Sequence, residues 1–148
     1  ERVADASVRI AQVVGMREDR MNTLSYAGIL HDVGKLGVRT SILQKTGMLD
    51  DEEFLEIQQH PVFATEIVRG IDFLSAAHAG ILHHHERLDG LGYPLGLQGD
   101  QIPEFARIIA VADAFDSMTS TRSYRGAPRY RLSIFWRSSR VGWKPRDS

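Results

Sequence analysis

The chain has 148 residues, of which 43% are hydrophobic and 25% are charged, with a formal net charge of −1. These values predict one soluble globular domain and exclude a disordered chain. No apolar run approaches the roughly 20 residues of a membrane-spanning helix, and the first residues do not resemble a signal peptide. The chain has no cysteine, so we expect a cytoplasmic protein whose metal sites use nitrogen and oxygen ligands.

Charge is distributed unevenly along the chain. Residues 1–128 contain 12 Lys and Arg against 18 Asp and Glu, whereas residues 129–148 contain 6 against 1. We therefore divide the chain into a domain over residues 1–128 and an atypical basic tail over residues 129–148.

The first half of the sequence predicts helices. Apolar residues recur at helical intervals from Val3 to Val14, and Gly15 stands where a helix C-cap favours glycine. A second helix is predicted from about Arg20 to Asp32, ending near Gly34. Its residues predicted to face the core are Leu24, Ala27, Ile29 and Leu30. Asp50 and Glu53 then have the spacing of a capping box that opens a third helix.

Helical patterns continue to the end of the domain. His60-Pro61 marks a helix boundary, because proline disfavours helical geometry in the residue before it. A helix is predicted over 62–68 and another from about Phe73 to His84. Residues 89–94 are predicted to form a loop, and Pro103 suits the first turn of a last apolar helix. No alternation typical of a strand occurs, so we predict an all-α bundle of short helices around a polar centre.

Three separate groups of polar residues could bind metal. His31-Asp32 ends an apolar helix with Lys35 close by, and the alternative is a solvated surface pair. His83, His84 and His85 cannot all be satisfied in a core, although a solvated helix end would also accommodate them. Asp113 lies in a strongly apolar helix, where a buried carboxylate needs a cation, a helix dipole or an arginine.

Together these groups form a nitrogen and oxygen ligand set for divalent ions. The candidate metal ligands are His31, Asp32, His60, His84, His85 and Asp113. Six such donors suit two ions, with Mn, Fe or Zn all acceptable, and paired metals are a recurring solution to phosphoester hydrolysis. Lys35, Arg122 and Arg125 could hold a phosphate group, although a solvated helix end is the simpler interpretation of the two arginines. We expect Asp116 only to cap a helix or to brace the structure around it.

The motifs occur in one recognisable order. HDVGK over 31–35, HHERLDGLGYP over 84–94 and DAFD over 113–116 followed by RSYR over 122–125 resemble the HD-GYP family of HD-superfamily phosphohydrolases. The second motif is the most specific. This resemblance implies an HD-domain fold, two or three divalent metals, usually iron or manganese, and hydrolysis of cyclic di-GMP to pGpG or GMP.

The resemblance also implies individual roles. It assigns the six His and Asp residues above as metal ligands, Asp32 and Lys35 as catalytic, and Lys35, Arg122 and Arg125 as phosphate contacts. Tyr93 lies in the loop that this family uses for substrate or for a signalling-domain partner. We expect no membrane span and no nucleic-acid partner for the domain.

Departures from the family pattern leave alternatives open. Arg2-Val3 match the end of a motif whose ligand histidine would precede Glu1, so we expect an N-terminally truncated domain, and Ser123 replaces a usual proline. A non-catalytic docking module and a hydrolase of another nucleotide therefore remain alternatives. The tail could bind an anionic surface or nucleic acid, but a shift of reading frame or a misassembled end explains its composition better. We then expect Phe135, Trp136 and Trp143 to stay partly exposed.

Overall fold

The computed structural model describes residues 1–120, and the regular structure in that range is entirely helical. The helices are α1 (Arg2–Val13), α2 (Glu18–Leu30), α3 (Thr40–Leu43), α4 (Asp51–Ile57), α5 (His60–Val68), α6 (His78–Leu82) and α7 (Glu104–Thr119). Shorter 3-10 turns occupy Val33–Gly37, Asp72–Ala77 and Gly99–Gln101. No strand forms between residues 1 and 120, where an isolated bridge joins Asp89 to Gln98. The predicted all-α fold is confirmed. No helix in residues 1–120 has both the length and the apolar character that crossing a bilayer requires.

The main hydrophobic core lies between α1, α2, α6 and α7, with the end of α5 at its side. Its largest fully buried members are Leu24, Ile81 and Ile109, each with no measurable exposure. Burying a side chain of this size contributes roughly 1.5–3 kcal/mol. A smaller second core packs α3 against α4 through Ile42 and Ile57. The helices that carry the polar motifs are therefore fixed by apolar contacts.

Helix α2 differs from its prediction in two ways. It ends at Leu30, so His31 and Asp32 leave the helix and lead into the 3-10 turn that follows. Ile29 was predicted to face the core, and this is wrong, because its side chain is 51% exposed. Leu24, Ala27 and Gly28 define the buried face, and Ile29 lies five residues after Leu24, on the opposite side of a helix with 3.6 residues per turn.

The helix predicted from Phe73 to His84 is divided. A 3-10 turn covers Asp72–Ala77, and α6 begins only at His78 and ends at Leu82. Leu74 and Ala77 are both buried, and residues three apart face the same way in a 3-10 helix. The three consecutive histidines therefore lie in the turn after α6 and not within a helix.

The start of α4 follows its prediction. Asp50 accepts a hydrogen bond from the Glu53 backbone N–H at 2.9 Å, and the Glu53 carboxylate accepts one from the Asp50 N–H at 2.9 Å. The predicted capping box is confirmed. His60 is the first residue of α5 and Pro61 the second, which places proline in the first turn, where its missing N–H costs little.

Candidate metal centre

One carboxylate and three imidazoles from separate segments come together in the folded chain. Asp32, His60, His84 and His85 each offer a ligand atom, and these atoms all lie within 4.8 Å of one another. His60 and His84 are almost fully buried, whereas Asp32 and His85 are partly exposed. The cluster is therefore open on one side.

Different elements supply these side chains. Asp32 lies between α2 and the 3-10 turn, His60 begins α5, and the two other histidines follow α6. The 3-10 turn and α5 touch closely, because a Cβ added at Gly34 would lie 1.9 Å from the carbonyl oxygen of His60. Only a glycine at this position lets the Asp32 segment reach the His60 segment.

A repeated hydrogen bond orients three histidine rings. The Nδ1 atoms of His31, His60 and His84 lie 2.8, 2.6 and 2.7 Å from backbone carbonyl oxygens three residues earlier in the chain. A carbonyl oxygen only accepts, so each Nδ1 donates and the neutral ring carries its lone pair on Nε2. Metal-binding histidines are commonly fixed in this way.

His31 and Asp113 extend the cluster on one side. His31 Nε2 lies 3.5 Å from Asp32 Oδ2 and 4.0 Å from Asp113 Oδ1. The His31 and His84 rings meet edge to face, with centroids 5.0 Å apart. The structure thus brings all six predicted ligands into one neighbourhood, four of them in the tight group and these two beside it.

Asp32 is the anionic centre of the cluster. Burial alone would raise the pKa of its carboxyl, but the Lys35 ammonium and the nearby His31, His60 and His84 rings hold that pKa well below its usual range. Lys35 Nζ lies 2.5 Å from Asp32 Oδ1. His60 Nε2 approaches the same oxygen at 3.5 Å. Asp32 is therefore ionised and ready to bind a cation.

The clustered imidazoles are held in their neutral form. Burial lowers the pKa of His60 to about 4, against the opposing effect of Asp32. Burial also lowers the pKa values of His84 and His85 well below the usual range, and the neighbouring imidazoles add to this shift. Neutral imidazole is the form that binds metal.

This donor set fits a divalent transition metal. His60 Nε2 and His84 Nε2 are 3.4 Å apart, and both carry lone pairs because each Nδ1 is engaged with a carbonyl. Two facing lone pairs cannot share a hydrogen bond, but they can share a cation. With the Asp32 carboxylate alongside, imidazole nitrogen and carboxylate oxygen are ligands that Fe, Mn and Zn accept.

Tyr93 was predicted to contact substrate, and in the structure its ring packs against His85 of the cluster. Its ring stacks on His85 with centroids 4.8 Å apart and an interplanar angle of 25°. The residue is 8% exposed, and its hydroxyl has no hydrogen-bond partner among residues 1–120. Burial, with the Asp32 and Asp113 carboxylates, raises the pKa of Tyr93 well above its usual value.

Several predicted features lie outside the described residues. Arg122 and Arg125 are among them, as are the division at residue 128 and the basic tail with Phe135, Trp136 and Trp143. Of the three predicted phosphate-binding residues, Lys35 lies within the described residues 1–120.

The sequence did not predict the role of Glu86. This carboxylate is 5% exposed and accepts hydrogen bonds from the backbone N–H groups of Leu95, at 2.7 Å, and Leu97, at 2.9 Å. The available signal was an acid directly before a glycine-rich loop, where backbone donors lack partners within a regular element.

The family model described as HD domain matches residues 1–142. The chain belongs to this family. The resemblance drawn from its motifs is confirmed, and the HD-domain assignment agrees with a helical fold that contains a His/Asp group able to hold metal.

Curated relatives cover most of this chain. It is 39% identical over 129 residues to the cyclic di-GMP phosphodiesterase response regulator RpfG of Xanthomonas campestris pv. campestris, covering 86% of this chain and 34% of that protein. It is 42% identical over 133 residues to a cyclic di-GMP phosphodiesterase of Thermotoga maritima, covering 84% of this chain and 34% of that protein. It is 39% identical over 127 residues to 3'3'-cGAMP-specific phosphodiesterase 1 of Vibrio cholerae, covering 86% of this chain and 30% of that protein. The chain thus spans about a third of the length of these relatives.

Proposed function

We propose that this protein is a metal-dependent phosphodiesterase that hydrolyses cyclic di-GMP to pGpG or GMP. The observation that carries the proposal is the group formed by Asp32, His60, His84 and His85, whose ligand atoms lie within 4.8 Å of one another. The relatives named as cyclic di-GMP phosphodiesterases support the choice of substrate.

The proposed ligand set holds two or three divalent ions, with iron or manganese favoured and zinc acceptable. Asp32 and its three neighbouring imidazoles form the first part, and His31 with Asp113 form the second, 4.0 Å from each other. When bound, such ions activate water and neutralise charge on the phosphate. Asp32 would serve both parts, because its carboxylate lies 3.5 Å from His31 Nε2 and 3.5 Å from His60 Nε2.

Lys35 has a second role in this proposal. In the structure its ammonium compensates Asp32 at 2.5 Å. With a cation held at Asp32, Lys35 would be available to donate a hydrogen bond to a phosphate oxygen of the substrate. Arg122 and Arg125 are proposed to complete the phosphate contacts, since guanidinium binds phosphate in a bidentate manner.

A second substrate is a specific alternative. Relatives named as 3'3'-cGAMP-specific phosphodiesterases are 39–40% identical to this chain, close to the values for the cyclic di-GMP enzymes. Both substrates are cyclic dinucleotides, so the same metals and Lys35 serve either one. The choice between them then depends on the surfaces that contact the bases.

Further parts of the proposal concern partners and location. Leu88, Leu91 and Leu95 are exposed on the loop around Tyr93, which supports a role for this loop in contacting a signalling domain. The cytoplasmic location expected from the cysteine-free composition is part of the same proposal.

The test combines metal content with a substrate panel. The purified protein is loaded with Mn²⁺ or Fe²⁺, its metal content per chain is measured by mass spectrometry, and cyclic di-GMP and 3'3'-cGAMP turnover is followed by chromatography. We expect at least two ions per chain and linear dinucleotide or mononucleotide products. Asp32→Asn should abolish both metal loading and turnover, whereas Asp100→Asn, a change at a fully exposed carboxylate, should alter neither. Wild-type protein that binds no metal would favour the non-catalytic docking module.

A further inference from the structure

The loop after the ligand histidines folds back onto them. The Glu86 carboxylate accepts hydrogen bonds from the backbone N–H groups of Leu95, at 2.7 Å, and Leu97, at 2.9 Å, on the far side of the loop. Glu86 is 5% exposed, and hydrogen bonds to a buried carboxylate are among the stronger ones in proteins. This contact closes the loop at its base.

The closed loop presses Tyr93 onto His85. The Tyr93 backbone N–H donates to the His85 carbonyl at 3.2 Å, and the two rings stack 4.8 Å apart. Gly92 makes the approach feasible, because a Cβ there would lie 2.5 Å from the Glu86 Cα and 2.6 Å from the His85 carbonyl oxygen. Glu86, Gly92 and Tyr93 therefore act together on the segment that carries His85.

His85 needs an orienting contact of this kind. The rings of His31, His60 and His84 are each fixed by an Nδ1 hydrogen bond to a backbone carbonyl. Within the described part of the chain, His85 makes no such bond. The Tyr93 ring stacks on the His85 ring. The other aromatic neighbours of His85 are His60 and His84, which belong to the cluster themselves.

We infer that Tyr93 and Glu86 are positioning residues for His85: the stacked tyrosine ring sets the plane of the imidazole, and Glu86 holds the loop that carries the tyrosine. This inference rests on the proposed function, in that His85 is taken as a metal ligand. It assigns the contribution of Tyr93 to its ring, because the hydroxyl has no hydrogen-bond partner among residues 1–120.

The test measures Mn²⁺ affinity by calorimetry on the purified protein and on four variants. Tyr93→Leu fills the volume without a planar ring, and Glu86→Gln places an amide N–H against a backbone donor. Both should weaken Mn²⁺ binding about 10–100-fold, the range typical of residues that orient metal ligands. Tyr93→Phe keeps the stack and should stay within about threefold of wild type. Glu56→Gln is the matched control, because Glu56 also accepts a backbone N–H, from Arg39 at 2.8 Å, away from the cluster.

A second readout separates positioning from a general loss of structure. In ¹⁵N-histidine spectra of the metal-free protein, Tyr93→Leu should broaden or shift the His85 ring signals while those of His60 and His84 keep the tautomer with a proton on Nδ1. Wild-type Mn²⁺ affinity in Tyr93→Leu, or equal losses in Tyr93→Leu and Tyr93→Phe, would overturn the inference alone. Wild-type protein that binds no Mn²⁺ would overturn the proposed function and this inference with it.

Discussion

His60 and His84 face each other through their Nε2 atoms at 3.4 Å, and each ring is fixed from behind by an Nδ1 hydrogen bond to a carbonyl oxygen. The two carbonyls belong to Ile57 and Ile81, both fully buried core residues. Backbone carbonyls of the two hydrophobic cores thus determine the tautomers of these rings. Burial also keeps both rings neutral, because it opposes protonation.

The metal-free protein should therefore lose stability in mild acid. Burial lowers the pKa of His60 to about 4 in the folded state, whereas an unfolded histidine titrates near about 6.5. The unfolded state then binds more protons below about pH 6.5, so the free energy of unfolding falls as the pH drops toward about 4. His60 alone should account for roughly 2 kcal/mol of loss by about pH 5.

Urea denaturation in the presence of a chelator checks this pH dependence between neutral pH and about pH 5. His60→Gln should make the dependence less steep, since glutamine does not titrate, while His84 and His85, whose pKa values are also lowered by burial, maintain the rest. The same slope in wild type and His60→Gln would show that His60 is not held neutral.

Gly34 provides a steric prediction. In Gly34→Ala the new Cβ would lie 1.9 Å from the His60 carbonyl oxygen and 2.3 Å from the Ala64 backbone nitrogen. Both are backbone atoms, so α5 must move, and we expect a loss of at least about 3 kcal/mol together with reduced Mn²⁺ binding. Gly47→Ala is the control, because a Cβ there meets nothing within 4 Å. Equal urea midpoints for the two variants would contradict the close contact.

The candidate ligand residues could be selected from the sequence because each carries a local signal. Three histidines in a row, an acid in an apolar helix and a His-Pro boundary are all visible without a structure. The capping box at Asp50 and Glu53 was also predictable, since both partners lie within four residues. Local rules of this kind need no knowledge of the tertiary fold.

The remaining features depend on contacts between distant segments. α2 ends before His31, and the turn that follows packs Gly34 against His60, 26 residues further along the chain. Tyr93 is buried because Glu86 binds the backbone at Leu95 and Leu97, which no helical or strand period encodes. A pattern of residue types predicts which face of a helix is buried, but it does not predict the path of a loop.

Asp116 was predicted to cap a helix or to brace the structure. Its contact with Arg2 allows the bracing role to be tested by measuring stability. Its carboxylate oxygens lie 2.8 and 3.4 Å from Arg2 Nε and Nη2, which joins α1 to α7. The Asp116 side chain is mostly buried, so Asp116→Ala should cost about 1–2 kcal/mol in urea denaturation. Glu66→Ala removes the exposed pair with Arg69 and should change stability by less than about 0.5 kcal/mol. A loss no larger than that of Glu66→Ala would mean that the helices do not rely on this pair.

Removing the Lys35 ammonium should lower turnover without weakening metal binding. Its ammonium lies 2.5 Å from Asp32 Oδ1 and competes with a cation for that carboxylate. Lys35→Met removes the competitor, so Mn²⁺ affinity should rise or stay equal. Turnover of the cyclic dinucleotide should nevertheless fall at least about tenfold, because the phosphate loses a cationic partner. Lys45→Met removes an equivalent 2.5 Å ion pair, with Glu53, on α4, and should change neither quantity. If Mn²⁺ affinity and turnover fell together in Lys35→Met, Lys35 would act by supporting the metal centre and not by holding the substrate.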